Sequence, residues 1–197
     1  TRSHFVTAPG GVAPASRRHY HQLTRFAAAL AFLADVSMGT LGGALKRKEK
    51  ISGRFADALS YLYLASAVIK RFEDDGRPDA DAPLLRYACE YCLHQAEKAL
   101  VVILKNFPSR FMEWLCGGLC FPAGRHFHPP SDRLGHAVAE LLLAPSPSRD
   151  RLTAGIHVPR DENDAVGRLE RALTAAIEAE PHERKLRVVI DGKVVHA

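Results

Sequence analysis

The sequence predicts an all-α fold: an up-down bundle of long antiparallel helices, with shorter helices toward the C-terminus. Three long stretches carry apolar residues at alternating spacings of 3 and 4, the signature of one helical face. The links between them are short and rich in Gly, Pro, Asp or basic residues, so neighbouring helices must lie antiparallel. Beyond them, Pro and Gly cut the chain into shorter pieces.

The elements follow in order. Residues 1–18 read as an irregular lead-in, because Pro9, Gly10, Gly11 and Pro14 break any periodicity. The body of the domain spans residues 19–186, and 187–197 form a tail. In the first helix Leu23, Phe26, Leu30, Leu33, Ser37 and Leu41 share a face; Gly42 and Gly43 then weaken it. Ser52 suits the start of the second, whose predicted face is Phe55, Leu59, Leu62, Ser66, Ile69 and Phe72. Asp74-Asp75-Gly76-Arg77-Pro78 makes a turn. The third helix aligns Leu85, Cys89, Cys92, Ala96, Ala99 and Ile103 and ends near Asn106, ahead of Pro108. A shorter helix covers Phe111 to Phe121, and another starts at Ser131 or Asp132. Residues 145–163 read as irregular, and a last amphipathic helix begins near Asp164 with Val166, Leu169, Leu173 and Ile177 in register. Val188 to Val195 fits two readings. Asp191-Gly192 between β-branched residues signals a small hairpin, and the same Gly can end a helix.

Composition narrows the function classes. Of 197 residues 47% are hydrophobic, enough to build a core and to exclude wholesale disorder. No apolar run is expected to reach the roughly 18 residues of a membrane span, and residues 1–18 lack the apolar core of a signal peptide. The net charge of +5 is mild and permits an acidic partner without demanding one. The first Met is Met38, so the chain is expected to be part of a longer or processed polypeptide.

Four constellations invite chemistry. Cys89-x-x-Cys92 and Cys116-x-x-x-Cys120 have the look of a zinc ligand set, but Cys89 and Cys92 share the helical face of Leu85 and Ala96, so buried free thiols are expected. His126, His128 and His136 surround Pro129-Pro130, yet only Asp132 offers a nearby carboxylate, and neither a metal set nor a nucleophile pair is complete. Gly39, Gly42 and Gly43 lack the preceding strand and the following Lys-Ser/Thr pair of a phosphate loop. The run Lys46, Arg47, Lys48, Lys50 and Arg54 is the candidate contact for an anionic partner. Nucleic acid is disfavoured, because the aromatic residues fall on helical core positions and form no stacking platform.

Several separated blocks then occur in a distinctive order: Asp35-Val36-Ser37-Met38, Leu41-Gly42-Gly43-Ala44-Leu45-Lys46-Arg47, Ile51-Ser52-Gly53-Arg54-Phe55-Ala56-Asp57, Leu62-Tyr63-Leu64-Ala65-Ser66-Ala67, Asn106-Phe107-Pro108, Phe121-Pro122-x-Gly124-Arg125, Pro130-Ser131-Asp132-Arg133-Leu134-Gly135-His136 and Arg149-Asp150-Arg151-Leu152. Together they resemble the C-terminal region of the large bacterial acyl-CoA dehydrogenases of fatty-acid β-oxidation, from about residue 19 to about 186.

The resemblance implies an FAD-dependent enzyme that oxidises a fatty acyl-CoA to the trans-2-enoyl-CoA, with its catalytic core outside this region. No position matches the family's catalytic Glu, so no catalytic residue is assigned. The flavin-contacting Gln-x-x-Gly-Gly pattern is not reproduced either, since Met38 or Gly39 stands where Gln belongs. The implied partners are the core of the same polypeptide, acyl-CoA through that core, a membrane surface and further copies of the enzyme. The implied location is the cytoplasm, peripheral to the inner membrane. The competing reading is an autonomous bundle that grips an anionic surface through residues 46–54.

Overall fold

The computed structural model describes residues 8–122, 124, 127–157, 159, 161 and 163–191, the stretch 186–191 by its backbone course. Seven α-helices occur among them: α1 (Pro14–Leu41), α2 (Glu49–Asp74), α3 (Ala82–Lys105), α4 (Arg110–Cys120), α5 (Asp132–Leu143), α6 (Pro147–Thr153) and α7 (Ala165–Asp191). The chain divides into two compact units, residues 1–139 and 140–197, where the sequence predicts one body over 19–186.

In the first unit α1, α2 and α3 pack on one another, and α4 packs on α3. Two core clusters fix the up-down order. At one end Ala13 meets Ile69 and Phe72 from the end of α2, with Leu85 and Cys89 from the start of α3. At the other, Phe26 and Leu33 of α1 meet Ile51, Ala58 and Leu62 of early α2, with Leu100, Ile103 and Leu104 of late α3. Burying each of these larger apolar side chains contributes about 1.5–3 kcal/mol.

The predicted faces of α1 and α3 are observed: Phe26, Leu33 and Ser37 are buried on α1, and Leu85, Cys89, Cys92, Ala96 and Ile103 on α3. The face of α2 needs correction. Its buried series is Ile51, Ala58, Leu62, Ala65, Ile69 and Phe72, while Leu59 is 59% exposed. Two apolar stripes run along α2, and the one with small Ala residues lets the neighbouring backbones approach.

Helix α1 opens at Pro14, inside the stretch 1–18 expected to be irregular. Proline suits the first helical turn, and a distant side chain satisfies its backbone. Glu73 Oε1 accepts from Ala13 N at 3.1 Å and also from the Ser16 hydroxyl. Its other oxygen ion-pairs with Arg77 Nε at 2.6 Å. Burial alone raises the Glu73 carboxyl, but these donors and Arg77 outweigh it and hold its pKa below the ordinary value.

The expectation that no segment could span a membrane fails by length and composition. The continuous helical stretch Pro14–Arg47, α1 with the 3₁₀ turn Gly42–Arg47, is long and apolar enough. Much of that apolar character is alanine, and the helix supplies Phe26, Ala29 and Leu33 to the bundle core.

In the second unit, residues 145–163 are not wholly irregular. Ser146 Oγ accepts from Arg149 N at 3.1 Å and starts α6. Arg149 Nη2 reaches both Glu170 carboxylate oxygens at 3.2 Å, tying α6 to α7. Asp164 caps α7, accepting from Val166 N at 2.8 Å. Gly167 is required at this corner, since a Cβ there would lie 2.6 Å from the Pro159 carbonyl oxygen. Val166 and Leu169 are exposed, so the predicted apolar register of α7 is not a buried one at its start. Of the two readings of the tail the helical one holds as far as Asp191, where α7 ends; Gly192 to Val195 lie outside the described residues.

Candidate functional site

The basic run caps the α1–α2 connection. Lys46 and Arg47 close the 3₁₀ turn, Lys48 links it to α2, and Lys50 and Arg54 lie in the first turns of α2. Four are exposed and Arg54 is half-buried. None of the five forms an ion pair among the described residues. These side chains lie on an exposed turn with no paired carboxylate among the described residues, suited to a broad anionic surface more than to one enclosed anion.

The other sequence candidates are scattered. All four cysteines are free and buried: Cys116 and Cys120 lie in the main core cluster, and Cys89 in the second. Burial pushes the Cys89 thiol up to about 12, helped by neighbouring Cys92 and Glu90. It pushes Cys120 up to about 11, with Cys116 adding and Arg25 opposing. Neutral thiols are poor nucleophiles and poor ligands, so packing is their role here. Of the histidines, His128 and His136 are exposed, and His126 lies outside the described residues.

A flavin is the cofactor the resemblance implies, and these residues do not fit it. Met38, Gly39, Gly42 and Gly43 sit where α1 passes into the 3₁₀ turn, with Met38 56% exposed. A Cβ added at any of the three glycines meets nothing within 4 Å, so no cradle closes around them. No step of flavin chemistry is assigned to this chain.

A second basic site was not anticipated from the sequence. A cleft of about 1070 Å³ lies in the first unit, between the N-terminal halves of α1 and α3 and the segment 127–131. Arg17, Arg18, His21 and Arg25 line it from α1, Arg86 from α3, and His128 from the loop. Glu90 is the one carboxylate among its lining residues, and Arg86 Nε already engages it at 2.7 Å. The walls are anchored. Phe127 N donates to Glu97 Oε2 at 3.4 Å, its carbonyl contacts His94 Nδ1 at 2.7 Å, and its ring meets Phe26 edge-on at 4.8 Å. Arg25 Nη2 donates to the Cys120 carbonyl at 3.3 Å. His19, also in the lining, has its pKa lowered, mainly by burial. Arg18 and Arg86 add to that lowering, against the Gln22 hydrogen bond and Glu90. Cations from both helices thus act on one point. The helical spacing of Arg17, His21 and Arg25 was visible in the sequence; that α3 and the Phe127 segment would face it was not.

An all-α domain of stacked helices, with basic surfaces and no assembled catalytic group among its described residues, defines a helical module. The whole chain, residues 1–197, matches the family model described as acyl-CoA dehydrogenase, C-terminal, bacterial type, and the chain belongs to that family. No solved structure matches it.

Proposed function

We propose that this chain is the accessory, non-catalytic C-terminal domain of a flavin-dependent acyl-CoA dehydrogenase that converts fatty acyl-CoA to trans-2-enoyl-CoA. The family match over residues 1–197 carries this reading. FAD and the catalytic carboxylate belong to the core of the same polypeptide, where the acyl-CoA is oxidised. Apolar side chains left outside the bundle support it. Tyr63 is 71% exposed on α2, and Phe111, Trp114 and Leu119 are 65, 74 and 62% exposed on α4. A helix that exposes such a face is built to be covered. The covering core gives the domain its role in stability and in assembling a homo-oligomer. The enzyme works in the cytoplasm, peripheral to the inner membrane.

A second reading is favoured by the unpaired charges of Lys46, Arg47, Lys48, Lys50 and Arg54: an autonomous bundle docking on an anionic surface. Purified chain, assayed with a long-chain acyl-CoA and an electron-accepting dye, separates the two. The first reading expects a colourless, inactive protein whose binding to anionic vesicles is weak. Flavin absorbance or dye reduction by this chain alone would contradict the non-catalytic role. Tight, salt-sensitive vesicle binding lost in Lys46→Glu with Lys48→Glu would favour the second.

A further inference from the structure

The cleft between α1, α3 and the Phe127 segment has no role in the proposed function. Its charge, shape and rigidity point to a ligand. Six basic side chains converge on it, and its one carboxylate is already engaged by Arg86. Arg17 and Arg18 make no ion pair among the described residues, so their guanidinium donors are available. Arginine presents a planar fork that matches phosphate oxygens in pairs. Leu85, Leu93 and Phe127 add apolar surface to the lining, and Gln22 and Ser131 add neutral polar groups. At about 1070 Å³ the space exceeds what an inorganic anion fills and lies at the upper end of the ~300–1,000 Å³ typical of small-molecule sites.

We propose that this cleft binds an organic phosphoanhydride, its phosphates held by Arg17, Arg18 and Arg86 and its organic body resting on Phe127 and Leu93. The site differs from the turn 46–54 in kind: it is concave, anchored by His94 and Glu97, and assembled from three segments. It stands whether or not the chain serves a dehydrogenase. A free nucleotide and the nucleotide end of a coenzyme share the required chemistry, and the test separates them.

Isothermal titration of the full chain with ADP, free coenzyme A and inorganic pyrophosphate is the experiment. ADP, coenzyme A or both should bind, and more tightly than pyrophosphate. Arg17→Glu with Arg18→Glu should weaken binding at least about tenfold, the effect of losing one charge-assisted contact. Lys46→Glu with Lys48→Glu makes the same change in net charge elsewhere and should leave binding as it was. His128→Glu, on the opposite wall, should weaken it as well and guards against misfolding of the Arg variant; circular dichroism checks both. Coenzyme A binding tighter than ADP assigns the coenzyme as the source, and ADP binding tighter assigns a free nucleotide. Absence of binding by both, equal affinity for pyrophosphate, or equal loss in the Lys46/Lys48 variant would overturn the proposal.

Discussion

The two basic surfaces of the bundle make an instructive pair. Lys46, Arg47, Lys48, Lys50 and Arg54 are close in sequence and lie on the exposed turn and the start of α2. Arg17, Arg18 and Arg86 are far apart in sequence and line a concave cleft. Similar charge therefore sits in different geometric settings. On the turn each cationic head stays hydrated and screened, so attraction is diffuse and salt-sensitive. In the cleft Arg17, Arg18 and Arg86 are also exposed, but they come from two helices and line one concavity, so several directional contacts can meet on a single ligand. A charge run names only the first kind of site, and the second exists because the fold brings separate segments together.

That contrast can be broken or sharpened by substitution. The largest effect is expected from Phe26→Ala, which removes the ring that Phe121 and Phe127 pack against. Urea unfolding should show a loss of about 3–5 kcal/mol. At permissive temperature the cleft should lose its ligand; a loss of stability under about 1 kcal/mol would show that the Phe127 wall is not anchored by this core.

Glu73→Gln comes next. Glu73 holds the start of α1, the helix that carries Arg17 and Arg18, through Ala13, Ser16 and Arg77. Loss of the charge should cost about 2 kcal/mol at neutral pH. Because the folded pKa lies below the unfolded one, Glu73 contributes its stability above the usual carboxylate pKa of 4.5, and the contribution fades as pH falls through the lowered folded value. The wild-type advantage over Glu73→Gln should therefore shrink below about pH 4.5. A constant difference across that range would mean that the carboxylate charge is not what holds the helix start.

Ser37→Ala has the opposite sign. The Ser37 hydroxyl is buried with no hydrogen-bond partner among the described residues. Removing it should leave stability unchanged or raise it by about 1 kcal/mol, read from the thermal midpoint. A fall of similar size would reveal a partner for that hydroxyl. The smallest effect belongs to Lys46→Glu with Lys48→Glu, expected to move the unfolding free energy by less than about 0.5 kcal/mol, since both side chains are exposed. A larger change would make the turn part of the fold and not only a surface.

Much of this architecture was readable from periodicity. The faces of α1 and α3 were legible because bulky apolar residues mark them without competition. Helix α2 misled because Phe55, Leu59 and Tyr63 form a second stripe beside the buried alanines, and alanine carries little hydrophobic signal. The resembling blocks fall largely at element ends: Asn106 Nδ2 closes α3 on the Val102 carbonyl, Ser131 Oγ receives Leu134 N, and Arg149 binds Glu170. Those ends depend on specific polar contacts, which is why they are distinctive as sequence. The hold of Glu73 on α1 spans 60 residues and leaves no local trace. Helix α6 was hidden among Pro and Ser, although Ser146 and Pro147 are the residues that start it.

The central claim is that this domain serves a flavin enzyme without performing the chemistry. Its most direct test compares the intact polypeptide with a version lacking these 197 residues, recording bound flavin and long-chain acyl-CoA dehydrogenation for both. The account predicts that the intact enzyme is yellow and active. It also predicts that the catalytic machinery lies wholly in the truncated form, so any loss there follows loss of folding or assembly. A folded, flavin-loaded truncated enzyme that has lost the chemical step itself would contradict it.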